Sequence, residues 1–515
     1  MTNSIILLCN RLGVDKRLES LFIATLTLFM LTSPCQANDI DMQQLQHLLE
    51  LSDQMASESS HTPTHSNPHT HIILPSSPPP TRVLIDVRSN HSDGKHDMTT
   101  LITLAEKRGI ESMAFTEHDR FSIRFGIDPV PQFLGYAQQH PSLYTTGLQD
   151  FFTELHLQRQ QHPEIQLFGG TESIPGYHWS GIPFQDLTLH DAERHIITLG
   201  IESPAQVEAL SSYDLRYGLG NRSISIAFWC ASIFILVIFF LIRGNRGIAL
   251  LLIASLTAFM ATWLMKPKVD ADVAFIQSAQ QQGLFTIWAH PGTLSGVRPG
   301  PMGVQLDTPP YSRRVFKEPT ADAFAAVYGD TDLNTLPSGL WDRYLLDYLH
   351  GYHAKPIWAT AAGDYHEEGM ANEYLGNFVM DVWSKSSKPA SVLEALQAGH
   401  MVAWGMGKQS NIATRALFLK DAKGQMLQVG DEASVESPVQ LVVALQEHTN
   451  TPSSVQSVQG SWIVDGHIVQ HVNLQVGSPE ASSLTLPLEK GEHVIRFQIS
   501  QGVRMVANPF LVHVK

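Results

Sequence analysis

The chain has 515 residues, room for two or three domains, and sets 34 Lys and Arg against 49 Asp and Glu for a formal net charge of −15. That balance argues against a binder of nucleic-acid backbones, which would present a basic face. With 24 histidines but three cysteines (Cys9, Cys35 and Cys230), the composition excludes a disulfide framework and a thiolate metal site, leaving imidazoles and carboxylates as metal ligands.

Lys16 and Arg17 precede the apolar run Leu21–Leu31, followed by Ser33-Pro34-Cys35-Gln36-Ala37. This charged, apolar, small-residue order predicts an export signal over residues 1–37, cleaved after Ala37. An uncleaved anchor is the alternative, although the run is short for a span. Residues 38–60 carry helix-spaced Leu and Met and predict a short amphipathic helix. The Pro-, Ser- and His-rich stretch 61–81 reads as a linker, with metal capture by His61, His65, His69 and His71 as the weaker reading.

From Arg82 to about residue 405, short β-branched runs alternate with helical stretches: VLIDV, MTTLITLAEKRG, IESMAFTEHD, IQLFGGTE, HIITLGI, a helix at Ala271–Gln282, LFTIWAHP and PIWATAAGDYH. Such alternation predicts an α/β barrel or a wound sheet. Barrel enzymes place their chemistry at the C-terminal ends of strands, and the acidic and His residues cluster there.

Two uncharged apolar runs, Ile224–Ile242 and Gly247–Met265, interrupt this pattern. Each would rise roughly 28 Å as a helix, enough to cross the hydrocarbon core. Only Arg243-Gly244-Asn245-Arg246 separates them, so residues 224–265 are expected to form a transmembrane hairpin that returns the chain to the face it left. Arg222, Lys266 and Lys268 balance the arginines of the turn, so positive charge does not orient the pair. The export signal does: it places the protein in an inner membrane with its soluble parts in the periplasm.

Beyond about Ala413 the sequence becomes alternating strands punctuated by Gly, Pro and Ser. Residues 413–515 predict a small Ig-like β-sandwich, with a hairpin turn at Val464-Asp465-Gly466-His467. No catalytic set stands out in it, so packing, or docking of an envelope protein, is its expected role.

The residues that carry chemistry lie in the first region. Ser92-Asp93-Gly94 follows VLIDV, Thr116-Glu117-His118-Asp119 ends SMAF, and Glu172 follows Gly170-Thr171. His195 opens HIITLGI, Ala289-His290-Pro291 ends LFTIW, and Asp364-Tyr365-His366 ends PIWATAAG. Each alone has a plain reading as a helix-capping Asp or a hydrogen-bonded loop His. Their order and local sequence resemble the PHP (polymerase and histidinol phosphatase) superfamily, over roughly residues 82–405, with Val392–Gly399 similar to its closing helix.

The resemblance implies a distorted parallel β/α barrel and a metal-dependent hydrolase, expected to be a phosphoesterase that uses metal-activated water on a small phosphorylated substrate. It implies two or three divalent ions (zinc, manganese or iron). Asp93, His118 and His366 would share one; Glu172, His195 and His290 would share a second; Glu172 and Asp364 would reach towards a third. One departure stands out. Arg88 and Asn90 occupy the places of the family's two early histidines, and a protonated guanidinium cannot ligate a cation. His91 is then a substitute ligand, and Arg88 is expected to clamp phosphate in bidentate fashion. The altered motif also keeps an alternative open, a non-catalytic sensor or scaffold in the membrane that binds metal or ligand.

Overall fold

The computed structural model describes residues 79–515 apart from 127–134, 182–184, 212–269, 293–295, 301–302, 318–319, 330–332, 371–373, 387, 408–410 and 450–452. The expected export signal, the helix at 38–60, nearly all of the linker and the apolar pair at 224–265 lie outside the described residues. Among the described residues, no helix is long and apolar enough to cross a membrane.

The strands that carry the candidate site are β1 (Thr81–Val87), β2 (Ser112–His118), β3 (Gln166–Ser173), β4 (Ile196–Leu199), β5 (Phe285–Trp288), β6 (Ala323–Val327), β7 (Trp358–Ala361), β8 (Phe378–Val382) and β9 (Met401–Gly405). They neighbour one another in the order β7-β6-β5-β4-β3-β2-β1-β8-β9. β2 and β6 are buried along their whole length, and β6 accordingly reads as a continuous apolar run rather than as alternation. Past β7 the chain reaches β1: Tyr365 N–H donates to Asp86 O (3.0 Å) and Arg88 N–H to Tyr365 O (3.0 Å). The sheet is therefore curled, a half-barrel in a mixed α/β fold.

The expectation of a parallel barrel needs correcting. β1, β2 and β3 run parallel, as do β5, β6 and β7. β4 is antiparallel to both β3 and β5, and β8 is antiparallel to β1 and β9. A parallel neighbour requires a long crossover, which α1 (Met98–Lys107) supplies between β1 and β2, and α2 (Leu148–Gln161) between β2 and β3. Between β3 and β4 the chain instead makes the short strands His178–Ser180 and Thr188–His190, then returns alongside β3.

Local chemistry fixes the helices. Asp97 caps α1 by accepting from Thr100 N–H, and Met98, Leu101, Ile102 and Ala105 form its buried stripe. The glycine pair ahead of Glu172 has a steric reason. A Cβ on Gly169 would strike the Ile201 carbonyl, and one on Gly170 the Thr198 carbonyl, so β3 lies against the returning chain only without side chains there.

The region after β9 is all strand. Ile412–Lys420, Met426–Gln428, Val439–Glu447 and Ser482–Leu486 form a four-stranded sheet. Arg504–Ala507, Gly491–Ile499, Ser457–Val464 and His467–Gln475 instead continue the main sheet outward from β9. Asp465 (φ 52°) and Gly466 (φ 81°) form the expected tight turn, with Val464 paired to His467. Two buried ion pairs tie distant segments together, Arg82–Asp381 at 2.8 Å and Arg496–Asp342 at 2.6 Å. Asp342 and Trp341, on the helix Leu340–Leu349, thus pack against the C-terminal strands.

Candidate metal centre

The curled sheet brings the ends of its strands to one rim. β1, β2, β3, β5 and β7 deliver Arg88, His118, Glu172, His290 and Asp364 from their C-terminal ends. β4 runs the other way, with Ile196 opposite both Ser173 and Trp288, so its beginning lies on that same rim. This is why His195 opens its strand while the others close theirs.

Three groups form there. One ligand atom each from Asp93, His118 and His366 lies within 4.8 Å of the others; the same holds for Glu172, His195 and His290, and for Asp86, Glu172 and Asp364. The turn carrying Asp93 is anchored from below. Glu117, fully buried, accepts from Ser89 N–H (2.9 Å) and from the Ser89 (2.6 Å) and Ser92 hydroxyls. Burial raises its pKa, against the lowering effect of these donors. Gly94 closes the turn, since a Cβ there would overlap the Arg88 carbonyl.

Hydrogen bonding fixes which imidazole nitrogens are bare. His195 Nε2 is 3.2 Å from Ala192 O, His118 Nδ1 is 3.2 Å from Glu172 O, and His366 Nδ1 is 2.8 Å from Asp364 O. A carbonyl only accepts, so each of these nitrogens carries the proton and the other nitrogen holds a lone pair in the neutral ring. In the neutral rings those nitrogens face carboxylate oxygens, and His118 Nε2 also accepts from Arg88 Nε (3.5 Å). His195 Nδ1 is 3.0 Å from Glu172 Oε1, His366 Nε2 is 3.3 Å from Asp93 Oδ2, and His118 Nε2 is 3.6 Å from the same oxygen. His290 Nε2 joins the first pair, 3.5 Å from Glu172 Oε1 and 3.3 Å from His195 Nδ1. Both oxygens of Glu172 are buried, Oε1 facing the two imidazoles and Oε2 the Arg88 guanidinium.

Facing lone pairs repel unless a proton or a cation lies between them. Burial, with Arg88 and His195 adding to it, holds His118 well below the usual imidazole range. Burial, the neighbouring His290 and Arg88 hold His195 down at about 3. Both rings are therefore neutral at pH 7, the form that binds metal. His366 differs: burial lowers it, but the Asp93 carboxylate outweighs burial and raises it. Borderline divalent cations match this donor set of imidazoles and carboxylates, so the residues fit the expected ions.

Between the groups lies Arg88, 1% exposed. Its Nη1 is 3.2 Å from Asp86 Oδ1, its Nη2 is 3.1 Å from Asp364 Oδ1 and lies against Glu172 Oε2, and its Nε is 3.6 Å from Asp93 Oδ1. The guanidinium thus faces carboxylates on every side, where the sequence suggested a phosphate clamp. Asp86 (φ 67°), His290 (φ 29°) and Asp364 (φ 46°) all have left-handed backbone, strain that the surrounding sheet must hold in place.

His91 does not join any group. Its Nε2 is 2.6 Å from Glu154 Oε2 and its ring packs edge-on against Phe151 of α2, so it ties the turn to the helix instead of substituting for a lost ligand. Among the loop histidines, exposed His178 pairs with Asp191, and His353 stacks on Tyr344. Sequence reasoning passed over Asp86 as a site residue. Its signal was present, an acidic residue ending an otherwise apolar buried strand.

No protein-family model and no curated protein matches the chain. Three solved structures are similar at low identity. A two-domain Bacteroides vulgatus protein containing a predicted PHP-like metal-dependent phosphoesterase is 11% identical, with a TM-score of 0.36; the match covers 88% of this chain and 100% of that one. A candidate metal-dependent phosphoesterase from Bifidobacterium adolescentis is 15% identical over 62% of this chain and 97% of that one, with a TM-score of 0.28. An amidohydrolase from Chromobacterium violaceum, with bound sulfate and no metal, is 15% identical over 62% and 96% of the two chains, with a TM-score of 0.26.

Proposed function

We propose that this chain is a metal-dependent hydrolase of the PHP type that cleaves a phosphoester of a small substrate. One observation carries the reading: His195 Nδ1, its ring proton committed to Ala192 O, faces Glu172 Oε1 at 3.0 Å beside His290, while His118 and His366 converge on Asp93, two gatherings of imidazole and carboxylate that divalent cations would satisfy. When bound, divalent ions supply Lewis-acid activation of water and neutralise phosphoryl oxygens. The chain's own residues do the orienting. Backbone carbonyls lock the rings of His118, His195 and His366, and Glu117 holds the Asp93 turn. A cavity bordered by Arg120, Ser142 and Tyr144 adjoins, with Phe121 packed 4.6 Å from the His118 ring. Its cationic and hydroxyl lining suits an anionic ester.

The site belongs, on this reading, at the periplasmic face of an inner membrane. Support comes from the charged, apolar, small-residue order before Ala37 and the uncharged runs within residues 224–265. An even pair of crossings also lets His195 and His290 reach one rim although the runs divide them in sequence.

The test is turnover of p-nitrophenyl phosphate and of its bis-ester by the purified full chain loaded with manganese or zinc. Hydrolysis that disappears in both His118→Ala and His290→Ala supports the proposal. Bound metal without turnover of either ester would favour a ligand sensor instead.

A further inference from the structure

We propose that Arg88 is a built-in cation of this site, occupying the place a third divalent ion would need, so that the chain holds two ions. One would lie at Asp93, His118 and His366, the other at Glu172, His195 and His290. The inference rests on the metallohydrolase reading above and specifies its ion content.

The third group of possible ligands consists of Asp86, Glu172 and Asp364, gathered within the same 4.8 Å as the other two but lacking an imidazole. The Arg88 guanidinium fills that gathering. It contacts all three carboxylates and approaches Asp93 as well. A planar fork with several donors can serve carboxylates in different directions at once, which an ammonium on a flexible stem cannot do as well. The backbone supports the arrangement. Asp86 and Asp364 adopt left-handed conformations, and Asp364 N–H donates to Asp86 Oδ2 (3.0 Å), locking the two acidic residues around the guanidinium.

Electrostatics gives the arrangement a purpose. Asp86, Asp93, Glu172 and Asp364 bring four negative charges to one rim, Asp86 and Glu172 fully buried, and Arg88 cancels one. Two divalent ions would then leave the site with a single positive charge, suited to an anionic ester. A third ion between Asp86, Glu172 and Asp364 would have to share the position the guanidinium fills, placing two cations within contact distance beside the buried Asp86 and Glu172, at a Coulombic cost that rises as the local dielectric falls. A phosphate clamp would require Arg88 to abandon carboxylates it already contacts.

The experiment counts metal directly. The full chain is purified in detergent, loaded with manganese or zinc, desalted, and assayed for ions per chain by mass spectrometry. Two ions are expected in the wild type and in Arg88→Lys, and three in Arg88→His, which restores an imidazole at this position. Three ions in the wild type overturn the inference, as does an unchanged count in a folded Arg88→His. Should Arg88→His fail to fold, the wild-type count decides alone. A wild type that binds no divalent ion overturns the metallohydrolase reading itself, an outcome distinct from a count of three.

Discussion

His195 Nδ1 stands 3.0 Å from Glu172 Oε1, and its proton is committed to the Ala192 carbonyl on the far side of the ring. Two acceptors so placed cannot bond each other. A buried neutral ring against a buried carboxylate is a poor structural element and a good half of a cation site.

Replacing Glu172 tests that relationship. In Glu172→Gln the amide N–H₂ can donate to His195 Nδ1, removing the need for a cation. The variant should lose at least one bound ion and lower kcat on the order of 100-fold, by analogy with loss of ligand support at other metal sites. Unchanged metal content, measured on the same preparation as the rate, would count decisively against the pairing.

Chelation gives a second expectation. Ions that bind the folded chain alone stabilise it by mass action, by about 2.7 kcal/mol at a free concentration one hundred times Kd. EDTA should therefore lower the Tm of the wild type and affect His290→Ala less. Equal sensitivity in the two proteins would place the ions elsewhere.

Glu117 carries a different burden. Its carboxylate accepts from Ser89 N–H and from the Ser89 and Ser92 hydroxyls. Glu117→Gln sets an N–H₂ group against donors, leaving buried polar groups unsatisfied at a cost of about 1–3 kcal/mol. Because the turn presents Asp93, metal affinity should fall together with Tm. Loss of stability with full affinity would show that the turn is held by something else.

Asp342, remote from the rim, predicts stability without chemistry. It is the partner of Arg496, both buried, with its two oxygens held by Nε and Nη2 of one guanidinium edge at 2.6 and 2.9 Å. Asp342→Ala strands a buried cation and should cost about 3–5 kcal/mol. Thermal or denaturant unfolding measures the loss. A stable variant would mean that water reaches Arg496.

His493 provides a pH signature away from the metal ligands. Burial lowers its pKa, but the Asp465 carboxylate at 2.7 Å outweighs this and raises it. A group with a raised folded pKa binds its proton more tightly in the native state. Its contribution is complete below the unfolded value of about 6.5 and is lost as pH climbs through the folded value. The Tm gap between wild type and His493→Gln should therefore narrow from pH 6 to pH 9. A gap that widens reverses the sign and removes the argument.

Much of this was legible in the sequence because the forces involved are local. Apolar runs such as SMAF and LFTIW declare buried strands, the spacing in MTTLITLAEKRG declares a helix, and Asp465-Gly466 declares a turn. The candidate ligands were found at their strand ends because acidic and imidazole groups there have no local structural reason to recur. The tertiary structure alone decided the rest. The direction of β4 depends on a connection lacking a crossover helix, and that direction carries His195 to the rim. The orientations of Arg88 and His91 depend on partners distant in sequence: Glu172 from β3 and Asp364 after β7 for one, Glu154 of α2 for the other. Residue type fixes what a side chain can bond; only the packed fold fixes what it meets.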